Sequence, residues 1–370
     1  MDAYDALVVG GGPAGSSCAR RLADAGVAVA VLDRARFPRD KVCAGWITPA
    51  VVEALTLDLD DYARAHTLQP FTGFRTGTFD GPLRLVDFGR PISYGIRRCE
   101  FDRYLLERSG ATLVTGGALK EMRRDGDAWI VNETIRARVI VGAGGHFCPV
   151  ARTLNPHMRE EVVSAQEVEF RIEPTDAVAG LVRGDSPDLF FWPDLMGYGW
   201  TVRKGDYLNV GVGRLAASEF PAAVKQFTQM LRSRGLWPST DPGPWKGHAY
   251  LLNRTSRRRV HHDRMLLVGD AAGLALAPSG EGILAAVESG QMAADAILAA
   301  RPQYEADRLE AYAAAIDRRF GPRGTPLNLT KMPGWMTALA SRAMFASPWL
   351  TRRVLIEDGF LHLRRQRLGA

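Results

Sequence analysis

The chain has 370 residues, of which 46% are hydrophobic and 24% charged, and its formal net charge is +6. This composition is that of a globular protein with a sizeable core, and it excludes a disordered, fibrous or disulfide-rich small domain. The four cysteines lack metal-binding and disulfide spacing, so we expect reduced thiols, no metal and a cytoplasmic location.

Residues 7–33 have the order of a dinucleotide-binding unit: apolar strand, glycine turn, amphipathic helix and a second apolar strand. Gly10 permits the tight turn, Gly12 lets the backbone approach a pyrophosphate, and Gly15 lets the helix pack closely on the sheet. The helix N-terminus offers free N–H groups to phosphates, and Asp33 can accept hydrogen bonds from ribose hydroxyls. The residues predicted to contact the dinucleotide are Gly10, Gly12, Pro13, Ala14, Gly15, Asp33 and Arg34.

The middle of the chain is dominated by strand patterns. Residues 111–141 predict meander strands beside the dinucleotide, and residues 71–95 and 159–259 alternate in a way that predicts an antiparallel sheet. Within them, residues 218–236 predict a core helix with Ser218 as its N-cap and with Val224, Phe227, Met230 and Leu231 on its apolar face.

A second ligand-binding pattern occupies residues 265–290. A buried strand ends at Gly269 and Asp270, and a new helix starts around Gly280, Gly282 and Ile283. The aspartate can bind a ribityl hydroxyl, and the helix N-terminus can face the pyrimidine edge of a flavin, where negative charge collects on reduction. NAD enzymes have no need of this site, so the two patterns together predict FAD.

The C-terminal residues 331–370 combine positive charge with large apolar side chains, and they have only Glu357 and Asp358 as acids. The basic residues are Lys331, Arg342, Arg352, Arg353, Arg364, Arg365 and Arg367. A basic helix with Trp and Leu on its other face can lie at a lipid surface. The alternative is that these apolar residues belong to core helices that close a substrate pocket. The two interpretations are compatible. We expect no nucleic-acid partner. No signal peptide and no apolar run of about 18 residues is apparent, so we expect a cytoplasmic protein, and the basic C-terminal segment adds an expected peripheral membrane contact.

Four segments together resemble the geranylgeranyl reductase family, which belongs to the FAD-dependent oxidoreductases with the para-hydroxybenzoate hydroxylase type of fold. They are the two flavin patterns, FPRDKVCAGW at 37–46, and GYGWTVRKGDYLNVGVG at 197–213, where Tyr198, Trp200 and Lys204 match the family's substrate-domain signature. Arg98, ahead of Phe101 and Asp102, has a spacing that recurs in this flavoprotein group.

The resemblance implies a mixed α/β (α+β) fold with a Rossmann-like FAD-binding domain, an inserted antiparallel-sheet substrate domain and a helical C-terminus. The expected bounds are 1–70, 96–158 and 260–320 for the FAD-binding domain, 71–95 and 159–259 for the substrate domain, and 321–370 for the C-terminal segment. The substrate sheet is expected to cover the reactive face of the flavin.

The resemblance also supplies candidate catalytic residues. Reduced flavin offers a hydride, and reduction of an isolated alkene also needs a proton delivered in a dry cavity. Cys43 is expected near the isoalloxazine, as proton donor or gate, with a small buried hydrophobe as its alternative role. Tyr198 and Trp200 are expected to line the substrate channel, although aromatic side chains in a sheet are often core. The same region adds Lys41, Ala44, Gly45 and Arg98 to the predicted cofactor-binding residues.

Lys41 and Lys204 are further candidates for steering a diphosphate or lipid head group, with solvated surface charges as the alternative. The chain departs from the family at Val202 and Arg203, where Phe-Pro is expected. It also has Gly144 where related hydroxylases carry an aspartate that helps to engage NADPH. Reduction by NADPH is therefore expected to be slow, and the electron donor is either NAD(P)H or a low-potential protein. His146, in the same turn, makes backbone hydrogen bonds or serves the site.

Two classes of function remain open. The first is a reductase that saturates C=C bonds of an isoprenoid or another apolar or lipid substrate. The second is a flavin-dependent monooxygenase or halogenase acting on a small molecule or natural product, because residues 37–49 also resemble a halogenase loop. The halogenase Trp-x-Trp-x-Ile-Pro element is absent, since Tyr198 stands at its first position. A flavin-binding protein without turnover is a third, disfavoured class.

Overall fold

The computed structural model describes residues 1–158, 160–215, 219–325, 332–365 and 368. The chain divides into two compact units. The first unit comprises Met1–Asp40, Cys99–Glu161 and Tyr250–Pro326, and the second unit comprises Lys41–Arg98, Val162–Ala249 and Leu327–Ala370.

The strands are numbered along the whole chain. They are β1 (Asp2–Val9), β2 (Val29–Asp33), β3 (Trp46–Ile47), β4 (Leu68–Phe71), β5 (Gly73–Thr78), β6 (Arg84–Asp87), β7 (Ser93–Ile96), β8 (Thr112–Thr115), β9 (Met122–Asp125), β10 (Ala128–Val131), β11 (Ile135–Gly142), β12 (Val163–Arg171), β13 (Asp188–Phe191), β14 (Gly197–Lys204), β15 (Tyr207–Arg214), β16 (Lys246–Tyr250), β17 (His261–His262) and β18 (Met265–Leu267).

The helices are numbered in the same way. They are α1 (Pro13–Asp24), α2 (Pro49–Ala54), α3 (Leu59–Ala63), α4 (Arg98–Glu107), α5 (Pro149–Leu154), α6 (Ala177–Leu181), α7 (Phe220–Ser233), α8 (Ile283–Ala300), α9 (Ala306–Phe320), α10 (Gly334–Ala346) and α11 (Pro348–Leu350), with a 3-10 turn at Gly269–Ala271 and a π-helix at Thr351–Phe360.

A parallel sheet forms the core of the first unit, with the order β18-β11-β1-β2-β8. The antiparallel strands β17, β10 and β9 extend it. The central strands are nearly continuous runs of buried Val, Ile, Leu and Ala, as expected for strands covered on both faces. Helices α1 and α8 pack closely because Gly290 has no side chain where the carbonyl oxygen of Ala14 lies.

Helix α8 also has the length and composition of a membrane span, with 18 residues and a mean hydropathy of 1.3. This differs from the expectation that no apolar run is so long. In the structure, 61% of α8 is buried, and Glu288 on it pairs with Arg319. Such burial is typical of the core helix of a globular unit.

The second unit is built on a seven-stranded sheet with the order β16-β12-β15-β14-β13-β5-β6, and a small sheet β3-β7-β4. Helix α7 packs on one face through Phe227 and Leu231, which are fully buried, so this helix is core as predicted. It begins at Phe220, and the predicted N-cap Ser218 lies outside the described residues. The C-terminal helices contribute Leu355, Ile356 and Phe360 to an apolar cluster with Phe74, Phe191 and Trp200.

The fold is the mixed α/β arrangement predicted, but the units differ from the expected domain bounds. Residues 41–70 belong to the second unit because β3 and β4 pair with β7. The C-terminal helices belong to the same unit because their apolar side chains complete its core. Residues 250–259 belong to the first unit.

Candidate active site

The glycine turn of the first unit contains two glycines that the surrounding backbone requires and one, Gly12, where a Cβ would meet no backbone atom. Gly10 has φ +118°, and a Cβ there would overlap the Ala143 backbone. A Cβ on Gly15 would overlap the Gly10 carbonyl. At Gly12, by contrast, the nearest atom to a Cβ is Nη2 of Arg39, 3.5 Å away. Because the protein itself does not require glycine at position 12, the space in front of it fits the close approach of a ligand.

Asp33 fixes this turn. Its Oδ2 accepts a hydrogen bond from the Gly11 amide at 2.7 Å, and its Oδ1 accepts one from the Ala35 amide at 2.8 Å. The carboxylate therefore holds the turn to the end of β2 in addition to its predicted ribose contact. Arg34 next to it is exposed, and its cofactor role stays a prediction.

Arg39 is a residue that the motifs did not single out. Its Nη2 pairs with the fully buried Asp102 at 3.0 Å. Its Nη1 is buried and, within the described chain, has no hydrogen-bond partner. A guanidinium beside the open space at Gly12, with a donor to spare, fits a diphosphate oxygen. The residues of the first unit therefore fit the diphosphate of FAD. The only sequence signal was the position of Arg39 inside the FPRDKVCAGW segment.

The second flavin pattern also assembles in the first unit. Asp270 lies in the 3-10 turn, and its Oδ1 is 3.4 Å from where a Cβ on Gly282 would be, at the start of α8. Glu281 Oε1 accepts a hydrogen bond from the Leu284 amide at 2.7 Å and so caps the helix. Gly280 has φ +71° and lies against the Tyr250 ring, where a Cβ does not fit. Ile283 is the first residue of α8.

Arg258 is a second residue missed by the motifs. It is buried and pairs with Glu160 at 2.7 Å. Its Nη1 donates to the carbonyls of Ala271, at 2.9 Å, and His146, at 3.3 Å. It thus joins the turn that carries Gly144 to the Asp270 turn. Its neighbours in sequence, Arg257 and Arg259, are exposed, so the sequence did not distinguish it from a surface charge.

In the second unit, the Cys43–Gly45 turn is held by buried polar side chains. The Cys43 amide donates to Glu167 Oε2 at 2.7 Å, and the Cys43 carbonyl accepts from Asn209 Nδ2 at 3.3 Å. The Gly45 amide donates to Cys43 Sγ at 3.4 Å. Cys43 is half-buried, which does not fit a small core hydrophobe.

Tyr198 and Trp200 lie side by side on one face of β14, with ring centroids 5.8 Å apart. Trp200 Nε1 donates to Asn209 Oδ1 at 2.7 Å, so Asn209 joins the indole to the Cys43 turn. Tyr198 contacts Phe360 of the C-terminal π-helix, at 5.2 Å between centroids. The three predicted catalytic residues are therefore brought together within the second unit.

The structure contradicts the expectation that Lys204 steers a diphosphate or lies at the surface. It is fully buried, pairs with Glu169 Oε2 at 2.5 Å and donates to the Ala44 carbonyl at 3.2 Å. A lysine so enclosed is neither a surface charge nor a steering group for a diphosphate. Burial raises the pKa of Glu167 to about 7, against the opposing charge of Lys204. Burial acts in the same direction on Glu169, but Lys204 and Arg97 outweigh it and lower the pKa of Glu169.

The remaining predicted cofactor residues, Lys41, Ala44, Gly45 and Arg98, all lie in the second unit, and their cofactor role stays a prediction. Gly45 has φ +68°, and a Cβ there would be 2.5 Å from both the Ile96 carbonyl and Lys204 Nζ. Among the described residues, no group of three His, Cys, Asp or Glu side chains could hold a metal ion.

Comparison with known proteins gives a family match and related enzymes. Residues 3–320 match the family model described as FAD binding domain. The chain is 31% identical over 319 residues to the menaquinone reductase of Mycobacterium tuberculosis, which covers 80% of this chain and 76% of that protein. It is 31% identical over 318 residues to the geranylgeranyl diphosphate reductase of Rhodobacter capsulatus, with 80% and 75% covered.

Two solved structures show the same fold. A geranylgeranyl bacteriochlorophyll reductase-like protein from Thermoplasma acidophilum has a TM-score of 0.73 and 20% identity, with 92% of this chain and 87% of that chain covered. A probable FAD-dependent monooxygenase from Pseudomonas aeruginosa has a TM-score of 0.66 and 20% identity, with 94% and 100% covered. At these identities the likeness concerns the fold alone.

Proposed function

Because this chain belongs to the FAD-binding family that includes menaquinone and geranylgeranyl diphosphate reductases, we propose that it reduces C=C bonds of an isoprenoid chain or another apolar substrate. The family match confirms the predicted FAD cofactor, and together with the related reductases it confirms the assignment as an FAD-dependent oxidoreductase. The observation that carries the substrate proposal is the contact of the Cys43 turn with Trp200 through Asn209, next to an apolar aromatic cluster.

The first unit supplies the groups proposed to hold the cofactor. The N–H groups of Gly12 and the start of α1, together with Arg39, would donate hydrogen bonds to the diphosphate, and Asp33 would bind the ribose. Asp270 and the start of α8 would hold the ribityl chain and the flavin ring. Bound FAD, once reduced, supplies a hydride.

The second unit supplies the proposed substrate-binding residues. Tyr198 and Trp200, with the surrounding apolar cluster, bind an extended apolar chain and exclude water. The Cys43 thiol holds the proton that the substrate carbon receives. Of the four cysteines, Cys18 and Cys148 are fully buried, and burial raises the pKa of Cys18 to about 12. This leaves Cys43 and the half-buried Cys99 as accessible thiols.

The test is anaerobic reoxidation of dithionite-reduced protein by geranylgeranyl diphosphate and by menaquinone, with each product analysed for the loss of a C=C bond of the isoprenoid chain, because reduced flavin can also reduce the quinone ring. The reductase proposal expects reoxidation without oxygen and, in D2O, a deuterium on each carbon of the reduced bond, because dithionite supplies only electrons and the hydride of the flavin therefore also comes from solvent. Cys43→Ala should slow this step by about 10²-fold, the usual contribution of a general acid, with FAD still bound. Cys99→Ala is the matched control and should leave the rate unchanged. Trp200→Ala should weaken substrate binding, because it removes contact surface.

The monooxygenase or halogenase alternative is supported by the shared fold of the Pseudomonas monooxygenase. It expects a product that forms only with molecular oxygen and that carries an added oxygen or halogen atom. That outcome would contradict the reductase proposal.

The C-terminal segment is proposed to touch a membrane from the cytoplasmic side. The polar and apolar faces of helix α10 are exchanged relative to an ordinary surface helix. Thr337 and Ser341 are buried, while Trp335 and Leu339 are 68% and 60% exposed. Trp349 nearby is 66% exposed. Exposed Trp and Leu with basic residues suit a lipid interface. Lys331 and Arg367, which also carried this expectation, lie outside the described residues.

Vesicle sedimentation tests this contact. The protein should bind phosphatidylglycerol vesicles more tightly than phosphatidylcholine vesicles, and Trp335→Ser with Leu339→Ser should weaken binding by about tenfold or more. Leu113→Ser, which alters an exposed leucine of β8, is the control. Equal binding by the wild-type protein and the double variant would contradict the proposed contact.

A further inference from the structure

A cluster of four polar side chains, three of them buried, lies beneath the Cys43–Gly45 turn in the second unit. Its members are Glu167 and Glu169 on β12, Lys204 on β14 and Asn209 on β15, and we name them the polar floor. The register of these three strands puts all four on one face of the sheet. Glu167, Lys204 and Asn209 are buried, and Glu169 is 21% exposed.

The polar floor holds the turn through three backbone groups. Glu167 accepts from the Cys43 amide at 2.7 Å, Asn209 donates to the Cys43 carbonyl at 3.3 Å, and Lys204 donates to the Ala44 carbonyl at 3.2 Å. Asn209 also donates to Glu167 Oε2 at 3.0 Å. Because these groups share hydrogen bonds, a change at Glu167 is transmitted directly to the backbone of Cys43.

The charge of Glu167 is set by its surroundings. The titratable and charged groups around it are Lys204 from β14, Glu169 from its own strand, Arg97 and Tyr207 beyond Glu169, and the Cys43 thiol in the turn. Burial raises the pKa of Glu167 to about 7, and Lys204, Asn209 and the Cys43 amide oppose this rise only in part. The carboxyl therefore exchanges its proton in the neutral range.

We propose that Glu167 is a positioning residue for Cys43. The protonated carboxyl of Glu167 keeps the Cys43–Gly45 turn closed on the sheet, and ionisation of this carboxyl favours opening of the turn. The proposal rests on the role proposed above for Cys43. Opening of the turn lets water reach the carboxyl and removes the burial that disfavours its charge. The open form therefore holds the proton less tightly, and by linkage the equilibrium shifts toward opening as pH rises through about 7.

Amide hydrogen exchange of Cys43 in the FAD-loaded protein measures this equilibrium directly. We expect its protection, corrected for the intrinsic rate, to fall about tenfold between about pH 6 and pH 8. Glu167→Gln lacks the titrating group and should show protection that does not change with pH. Glu169→Gln is the matched control: it should keep the fall, with its midpoint at lower pH, because the Glu169 charge raises the pKa of Glu167.

Asn209→Ser provides a second variant if Glu167→Gln does not fold. It removes a hydrogen bond that lowers the pKa of Glu167, so the midpoint should move to higher pH. Opposite shifts in Asn209→Ser and Glu169→Gln support the proposal. Protection that is flat with pH in the wild-type protein, or that still falls in Glu167→Gln, overturns it.

A second readout links the turn to catalysis. The rate of substrate-driven reoxidation should fall as pH rises through about 7 in the wild-type protein. In Glu167→Gln the rate should not change over this pH range. The protection of the Cys43 amide could change with pH as expected while no apolar alkene reoxidises the protein. That result would support the positioning of Cys43 and reject the reductase function. The two proposals therefore fail separately.

Discussion

Gly12→Ala separates cofactor binding from folding, because the structure predicts opposite effects on the two. Gly12 has φ −78° and ψ −176°, which alanine adopts without strain, and its Cβ would meet only Arg39 Nη2 at 3.5 Å. The substitution should therefore stabilise the cofactor-free protein by about 0.4–1 kcal/mol, through the lower entropy of the unfolded chain. The same methyl group occupies the space proposed for the diphosphate. Overpacking of about 1–3 kcal/mol corresponds to FAD binding weakened roughly 5- to 150-fold.

Urea unfolding of the cofactor-free protein and titration with FAD, followed by flavin fluorescence, measure the two effects. Gly15→Ala is the informative comparison, since its Cβ would overlap the Gly10 carbonyl and should destabilise the protein with or without FAD. If Gly12→Ala binds FAD with unchanged affinity, the space at Gly12 is not the diphosphate site. If it unfolds as readily as Gly15→Ala, the structural argument about Gly12 is wrong.

Three further predictions follow from single features. NADPH should reduce the flavin slowly in anaerobic stopped-flow experiments, while dithionite reduces it rapidly, because Gly144 replaces the expected aspartate; rapid bleaching by NADPH would contradict this. Gly45→Ala should destabilise the protein by about 1–3 kcal/mol in urea unfolding, owing to the φ of +68° and the overlap with Ile96 and Lys204. The free energy of unfolding should fall as pH rises from about 4.5 to about 7 and level off above that. In this range Glu167 keeps in the folded protein a proton that the unfolded chain has released, and Glu167→Gln should remove this contribution to the pH dependence.

The features predicted from the sequence are those whose determinants are local. Gly10, Gly12 and Gly15 lie within six residues of one another, in the spacing of a strand, turn and helix that bind a dinucleotide. Gly280 and Gly282 are likewise two residues apart at the start of α8. The atoms that exclude a Cβ at Gly10 and Gly280 belong to the distant residues Ala143 and Tyr250, but the spacing of the glycines is visible without them. Short segments of this kind carry their geometry in their spacing, so the FAD-binding pattern and the fold class follow from the amino-acid sequence alone.

The residues that the sequence did not predict act through partners far along the chain. Arg39 depends on Asp102, and Arg258 depends on Glu160, which is 98 residues away. The Cys43 amide contacts Glu167 across 124 residues. Taken alone, a basic side chain is usually exposed, and only the partner shows that it is buried. The prediction that Lys204 is exposed was wrong for this reason. Glu169, 35 residues earlier in the chain, compensates the charge of Lys204 inside the sheet.

The polar floor is better explained by positioning than by stability. A buried ion pair such as Lys204 with Glu169 loses hydration that its attraction recovers only in part, and well-packed apolar residues in its place are often as stable or more so. Glu167 adds a carboxyl whose raised pKa shows that its charged form is disfavoured there. Yet these groups hold two consecutive carbonyls and one amide of a single turn, and Asn209 joins that turn to the Trp200 indole. Apolar side chains would pack in the same space but would leave those backbone groups without partners and Cys43 without a fixed direction. The arrangement therefore trades stability for the orientation of one thiol.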